Sequence, residues 1–511
     1  MSTPARAAAP LDDGAAASQL DRWRQRSGLV LAPLAFGFSW IAFPTLPGPA
    51  HRLAAVLAAV VVLWVTEAIP MAMTAFLGVA GAVVLGVAPV QEAFAPFADP
   101  LIFVFVGTFM LAQAIFFHGL DRRFAFAILG LPGVGNRPGR VLIAYATASC
   151  AISMWISNTA TVAMLLPIGL SLLAVLERHA GRAEPRWAAA LLASNAFAAS
   201  IGGLATPVGT PPNLIGIGFI RRETGIDLPF FSWMALGLPV VALLLLWMLF
   251  LLRHASRARG TTTDGHGVAG AIAAERAALG PWTRGQANAL AAFAVTVALW
   301  VFPGVVALVG GQDHPVYRTF TATVPEPVAA LLGAGLLFVL PTDLRRHEFT
   351  LPWAEAVKID WWIVFLYGGG IALGTLSFRT GLAEAMGRGL TSLLDVHSPT
   401  ALLVVATALA TVLSETTSNT AAANMVVPVV IALARATGLD PVIPAVGATM
   451  GASLGFMLPV STPCNAMVYA TGRVPLPTLM RWGIGLDVMG VALIVAVLTL
   501  LGPVVLGPAA R

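Results

Sequence analysis

The sequence predicts an all-α polytopic membrane protein of about 11 transmembrane helices plus two re-entrant hairpins, in two inverted-topology repeats. Three observations predict it. The 511 residues are 58% hydrophobic and 10% charged, with a mean hydropathy of +0.85, too apolar for a soluble globular chain. Apolar runs of spanning length recur along the chain. The tripeptide Ser-Asn-Thr occurs twice inside such runs: SMWISNTATVAMLLP spans Ser153–Pro167 and SETTSNTAAANMVVP spans Ser414–Pro428. Small polar residues in lipid are costly unless satisfied internally or holding something polar.

Taken in order, residues 1–27 read as a short cytoplasmic tail rather than a signal peptide, with Arg22, Arg24 and Arg26 just before the first long apolar run. Residues 28–252 form the N-terminal half. Its apolar runs lie at 28–46, 51–69, 72–92 and 100–118. Residues 119–139 mix Asp121, Arg122, Arg123 and Arg137 with Phe and Leu and predict an interfacial arm. A re-entrant hairpin follows at 141–176, a broken helix at 188–220 and a span at 231–252. Residues 253–284, with Arg253, Arg257, Arg259, Arg276 and Arg284 around a Gly/Thr-rich centre, read as a cytoplasmic linker. The C-terminal half, 285–511, has spans at 286–309, 325–341 and 361–378, an arm at 380–399, a second hairpin at 400–434, a broken helix at 441–470 and a last span at 484–506.

Arginine placement sets the orientation. With the N-terminus cytoplasmic, the loops at 121–140, 177–186, 253–284 and 342–358 fall inside and all carry Arg, whereas 304–323 outside carries only Arg318. The C-terminus then lies outside. A multi-pass chain of this orientation is expected in the cytoplasmic (inner) membrane.

The halves repeat one another. A shift of 262 residues places Phe103 on Phe365, Gly107 on Gly369 and Gly119-Leu120 on Gly381-Leu382. A shift of 261 superposes the Ser-Asn-Thr motifs, and one of 252 puts Thr210-Pro211 on Thr462-Pro463 and Asn213 on Asn465. Gly and Leu recur by chance; polar triplets in matching order do not.

The broken helices read SIGGLATPVGTPPN (Ser200–Asn213) and SLGFMLPVSTPCN (Ser453–Asn465). Pro207, Pro211, Pro212, Pro459 and Pro463 interrupt regular helix and free carbonyls, and Gly209 allows close backbone approach. Free carbonyls with Ser, Thr and Asn oxygens suit a dehydrated alkali cation. Free amides at helix N-termini suit a carboxylate or sulfate. The bland reading is a pair of proline-kinked packing helices; two such helices beside two matching hairpins argue against it. No Lys or Arg occurs in 141–176, 188–220, 400–434 or 441–470. An anion there must be balanced by helix N-termini and bound cations, which predicts co-transport. Glu415 is the one charged side chain in these four segments, and it is expected to bond backbone amides and hold the hairpin tip.

At these residues the chain resembles the divalent anion/sodium symporter family, over about 28–506. Residues 452–468, ASLGFMLPVSTPCNAMV, resemble the family's signature, SIGGLATPVGTPPN its first-half counterpart, and both Ser-Asn-Thr motifs its hairpin tips. The resemblance implies a homodimer whose transport domain moves elevator-fashion against a scaffold. It implies sodium ligands Ser153, Ser157, Asn158 and the Gly209 carbonyl in one site, and Ser414, Ser418, Asn419 and the Ser461 carbonyl in the other. It implies substrate contacts at Asn158, Thr159, Thr210, Asn419, Thr420, Thr462 and Pro463. Cys464 stands where the first half has Pro212, and Thr108 replaces a glycine common in the family; neither removes a ligand.

The expected function is therefore sodium-coupled import of a divalent anion, a C4-dicarboxylate such as succinate, malate or fumarate. The alternatives are a sodium-independent exchanger and a sulfate- or citrate-selective symporter. Sodium is the co-transported ion and no organic cofactor is implied. An enzyme would need a nucleophile–base pair or metal cluster, and no His falls in the four segments. Cys150 and Cys464 have neither metal nor disulfide spacing. A sensor would need an output domain larger than 253–284 can supply. No nucleic-acid partner is implied.

Overall fold

The computed structural model describes residues 19–135, 137–180, 183–256, 266–391 and 398–506. Helices dominate. The first half contains α1 (Gln19–Ala42), α2 (Gly48–Thr66), α3 (Met71–Val84), α4 (Val90–Phe94), α5 (Pro100–Phe117), α6 (Leu120–Leu129), α7 (Pro138–Ser153), α8 (Asn158–Ala180), α9 (Pro185–Gly203), α10 (Pro211–Thr224) and α11 (Phe230–Ala255). Then come α12 (His266–Ala278), α13 (Arg284–Gly310), α14 (Pro315–Thr323), α15 (Glu326–Val339), α16 (Trp353–Ala356), α17 (Trp361–Arg379), α18 (Leu382–Thr391), α19 (Pro399–Thr416), α20 (Asn419–Ala436), α21 (Val442–Gly451), α22 (Pro463–Ala470) and α23 (Leu476–Val505). A two-stranded ribbon, β1 (Pro341–Asp343) with β2 (Glu348–Phe349), lies between α15 and α16. Among the described residues nine helices are long and apolar enough to cross a membrane, three of them the hairpin arms α8, α19 and α20. The broken helices α9–α10 and α21–α22 supply further crossings in two pieces each.

Proline sets most helix starts. It occupies the first turn of α5, α7, α9, α10, α19 and α22, where its missing N–H costs nothing. Side chains cap some starts: Asp99 Oδ1 accepts from the Leu101 amide of α5 at 2.9 Å, and Thr283 with Gln286 closes a capping box on α13. Each arm is entered through a glycine in the left-handed region, Gly119 at φ 64° and Gly381 at φ 79°. The 262-residue shift thus has a backbone reason: both chains turn sharply out of a span into an arm.

Two expectations change. Helix α1 begins at Gln19, ahead of the expected 28, because a helix can run past the apolar stretch into polar surroundings. Arg24 there pairs with Glu67 beyond α2 at 2.9 Å. The rest of the expected tail, 1–18, lies outside the described residues. The segment 253–284 is more than a linker. Its Ala-rich part forms α12, which buries Val268 and Ile272 and lies against α6 and α8. Its Gly/Thr-rich centre, 257–265, lies outside the described residues.

The helices pack as two bodies. One gathers α1–α5 with α13–α17: α1 on α2, α3 on α17, α5 on α15, α13 on α15. The other gathers α7–α11 with α19–α23: α7 and α8 on α9, α11 on α23, α19 and α20 on α21. They meet where α17 lies against α10 and α20, and where α13 lies against α11. Asn424 of α20 abuts Gly370, Phe219 of α10 abuts Gly374, and Tyr367 abuts Gly218. A polar link joins them, since Arg221 donates to Asp99 Oδ1 at 2.8 Å and Tyr367 to the same oxygen at 3.2 Å. Outer faces stay apolar, with Ile41, Leu308 and Val309 exposed, as a bilayer requires.

Within the first body α5 touches α15 backbone to backbone: a Cβ on Gly107 would lie 2.7 Å from the carbonyl carbon and oxygen of Ala330. Gly107→Val is expected to destabilise the protein by about 1–3 kcal/mol or more, read as a lower thermal unfolding midpoint in detergent than that of Gly107→Ala, which is itself below wild type.

Candidate functional site

Both Ser-Asn-Thr motifs are hairpin tips. Helix α7 ends at Ser153, the chain unwinds through 154–157, and α8 restarts at Asn158. Helix α19 ends at Thr416, Thr417 and Ser418 are extended, and α20 restarts at Asn419. Each restart leaves amides without intrahelical partners. Ser418 Oγ accepts from the Ala421 amide at 3.2 Å, as an N-cap. That hydroxyl also donates to Met71 Sδ at 3.1 Å, so Ser418 helps close the tip as well as lying beside Asn419.

The broken helices are held open by two asparagines in equivalent places. Asn213 Nδ2 donates to the carbonyls of Gly203 and Thr206, both at 2.8 Å. Asn465 Nδ2 donates to those of Gly455 and Leu458 at 2.9 and 3.1 Å. Each side chain thereby satisfies carbonyls that the break frees. The sequence aligns these asparagines but does not reveal this task; their recurrence under the 252-residue shift is the signal that points to them.

Hairpin tip and broken helix meet in an oxygen-rich cradle in each half. In the first, Ser153 Oγ donates to Asn158 Oδ1 at 2.6 Å. The same corner of the Asn158 amide lies 3.2 Å from the Ala199 carbonyl oxygen and 3.3 Å from that of Gly209. With NH2 turned inward, the orientation in which the amide finds acceptors, it donates to all three oxygens; with oxygen inward, four oxygens converge there, chemistry that suits a hard cation. Gly209 has to be glycine, since a Cβ there would lie 2.6 Å from the Gly203 carbonyl. In the second cradle, Ser414 Oγ donates to Asn419 Oδ1 at 2.8 Å and to the Ala452 carbonyl at 2.7 Å. Gly455 backs it, with a Cβ position 3.3 Å from Asn419 Oδ1 and 3.4 Å from Ser461 Cβ. The structure thus brings Ser153, Asn158 and Gly209 together, and Ser414, Asn419 and Ser461. It adds the Ala199 and Ala452 carbonyls, which no residue type could announce.

Two of the predicted anion contacts, Thr159 and Thr462, come together at Cys464. The Cys464 thiol faces the hydroxyls of Thr159 and Thr462, so the start of α8 meets the start of α22. Thr462 Oγ1 accepts from the Asn465 amide at 3.2 Å. Thr159 and Pro463 are exposed, while Thr210, Thr420 and Thr462 are buried. Helix α8 lies against α22 on one side of the site, and α10 and α20 lie against α17 on the other. Glu415 bonds as expected: its carboxylate accepts from the amides of Met457 at 2.7 Å and Leu458 at 3.1 Å, tying the second tip to its broken helix. Among the described residues no cluster of three or more His, Cys, Asp or Glu side chains could hold a metal ion.

Comparison with known proteins adds to this geometry. Residues 25–507 match the family model described as the sodium:sulfate symporter transmembrane region. The chain is 31% identical over 491 residues to the sodium-dependent dicarboxylate transporter SdcS of Staphylococcus saprophyticus, covering 94% of this chain and 92% of that one. It is 29% identical to the transporter of the same name from Staphylococcus aureus strain USA300, over the same shares. Among solved structures, the YdaH transporter of Alcanivorax borkumensis shares the fold at TM-score 0.55 and 15% identity, covering 90% of this chain and 100% of that one. MtrF of Neisseria gonorrhoeae does so at TM-score 0.55 and 13% identity, covering 89% and 95%.

The asparagine fasteners generate a stability prediction. Asn213→Asp and Asn465→Asp are each expected to cost about 2–4 kcal/mol, because each replaces the donor of two hydrogen bonds with an acceptor facing carbonyls. A lowered thermal unfolding midpoint in detergent is the readout, with Asn195→Asp excluded as a control because it touches the first hairpin.

Proposed function

Because the chain belongs to the sodium:sulfate symporter family, we propose that it imports a divalent anion, a C4-dicarboxylate such as succinate, malate or fumarate, coupled to sodium. The observation that carries this reading is the pair of equivalent oxygen cradles flanking a site without Lys or Arg. A dianion bound there has no fixed cation to meet it. Its charge is balanced by bound sodium and by the N-termini of the helices that start at the tips and breaks.

One sodium is held by Ser153, Ser157, Asn158 and the Gly209 carbonyl, with the Ala199 carbonyl completing the ring. The other is held by Ser414, Ser418, Asn419 and the Ser461 carbonyl. The carboxylates meet Asn158-Thr159 and Asn419-Thr420, with Thr210, Thr462 and Pro463 lining the space. Each asparagine serves both a cation and the anion, so sodium and anion raise one another's affinity by the same factor. The body of α7–α11 and α19–α23 acts as the transport domain and moves elevator-fashion against that of α1–α5 and α13–α17, which carries the dimer contact. The halves are read as inverted repeats, with the N-terminus cytoplasmic and the C-terminus outside.

The reading is tested by labelled succinate uptake in proteoliposomes. Asn158→Ala and Asn419→Ala are each expected to lower sodium-driven uptake by about 100-fold or more, the equivalent of about 3 kcal/mol, at normal membrane insertion. Robust uptake by either variant removes the two-cradle site. Excess succinate or malate is expected to block uptake at lower concentration than sulfate does, since a compact anion does not span both tips. The reverse order replaces the dicarboxylate reading with sulfate.

A further inference from the structure

The two halves tie hairpin to broken helix at the same place with opposite chemistry. In the first half Thr206 Oγ1 donates to the Met154 carbonyl at 2.5 Å. The 261-residue shift puts Glu415 on Met154, and the 252-residue shift puts Leu458 on Thr206. There the direction is reversed: the Leu458 amide donates to Glu415 Oε2, and the Met457 amide to Oε1. The first tie is neutral and the second is a carboxylate seated on successive amides.

A third element covers only the second tie with an acid. Helix α23 presents Gly483, Asp487 and Gly490 on one face, at spacings of four and three residues. A Cβ on Gly483 would lie 2.5 Å from the Met457 nitrogen, and one on Gly490 2.7 Å from Leu454 Cδ1. The helix therefore lies directly on the break. Between the glycines, Asp487 is 5% exposed. Its carboxyl lies beside that of Glu415 and the Phe456 amide, and neither of its oxygens closes an ordinary hydrogen bond to either. In the first half the matching helix α11 lies equally close, with a Cβ on Gly237 2.6 Å from the Leu204 carbonyl, but it uses Trp233 Nε1, which donates to that carbonyl at 3.1 Å.

The peptide held in this way leads into the second cradle. The Leu458 amide is fixed by Glu415, while its carbonyl accepts from Ser461 Oγ at 2.6 Å and from Asn465 Nδ2 at 3.1 Å. Moving Glu415 displaces the peptide that orients Ser461 and the start of α22.

We propose that Asp487 is a positioning residue for the second sodium site, holding Glu415 on the Met457 and Leu458 amides and through them setting Ser461. This rests on the assignment of Ser414, Ser418, Asn419 and the Ser461 carbonyl to that site. A hydrogen bond between two carboxyl groups carries one proton, so an asparagine amide donates in its place, whereas an alanine leaves Glu415 unheld. Groups that orient ion ligands from behind are worth about 10–100-fold in affinity.

The test is the sodium dependence of uptake in proteoliposomes. Asp487→Ala is expected to raise the sodium concentration for half-maximal uptake about tenfold or more, with the rate at saturating sodium within about twofold of wild type. Asp487→Asn stays within about twofold on both measures. Glu415→Gln, which keeps one amide contact, shifts half-saturation as alanine does and covers the case in which Asp487→Ala does not fold. The sodium-induced rise in the thermal unfolding midpoint of purified protein reads the site without transport: it is retained in Asp487→Asn and reduced in Glu415→Gln. Unchanged half-saturation in Asp487→Ala or in Glu415→Gln, or equal impairment of the asparagine and alanine variants, overturns the proposal. Loss of any sodium response in wild type is a different result: it refutes the sodium reading before any variant is compared.

Discussion

A peptide group in lipid has nowhere to turn but the protein itself. This chain breaks helix at four places near the middle of its membrane-spanning part, and each break releases amides and carbonyls. Everything near the site answers that constraint. Asn213 and Asn465 collect carbonyls in pairs, Ser418 and Thr462 cap restarted helices, and Glu415 collects two amides. The carbonyls and hydroxyls left around Asn158 and Asn419 are the residue of that accounting, which makes them available to a cation. Binding and folding draw here on the same set of unpaired groups.

Much of this was legible because it violates the apolar background. A Ser-Asn-Thr triplet or a Thr-Pro turn stands out in a run of Ala, Leu and Val, and its recurrence in order shows that the two sites are built alike. Helix stops and restarts at both Ser-Asn-Thr triplets and at both Thr-Pro turns, and Glu415 sits on backbone amides, as a buried carboxylate beside a hairpin tip is expected to. What was not legible has physical reasons. The Ala199 and Ala452 carbonyls belong to the backbone, and alanine gives no sign of where its oxygen points. Asp487 lies far along the chain in a helix of otherwise ordinary composition, and its contact with Glu415 exists only in three dimensions. Helix α12 was hidden by an Ala- and Gly-rich composition that suits a linker equally well; packing against α6 and α8 decides the matter.

The halves are alike in plan and different in execution. The first tie uses Thr206, Trp233 and neutral donors, and the second uses two acids. Duplicate architecture constrains where the chain must be held, not which chemistry holds it. The two arms differ in the same way. Gly119 and Gly381 turn into the arms with the same backbone geometry, yet α6 is covered by α12 while α18 lies on α20.

The lack of Lys and Arg in the four site segments has a thermodynamic side. An empty site of this kind would carry only the Glu415 carboxylate, which the Met457 and Leu458 amides already hold. A dianion alone could not cross a low-dielectric barrier: taking an ion out of water costs several kcal/mol even after relaxation. On the proposed sodium-coupled reading, partly loaded forms would be penalised by their net charge, and fully compensated or fully empty forms would travel most easily. Leak would be suppressed by electrostatic self-energy, with no dedicated gate needed to count ions.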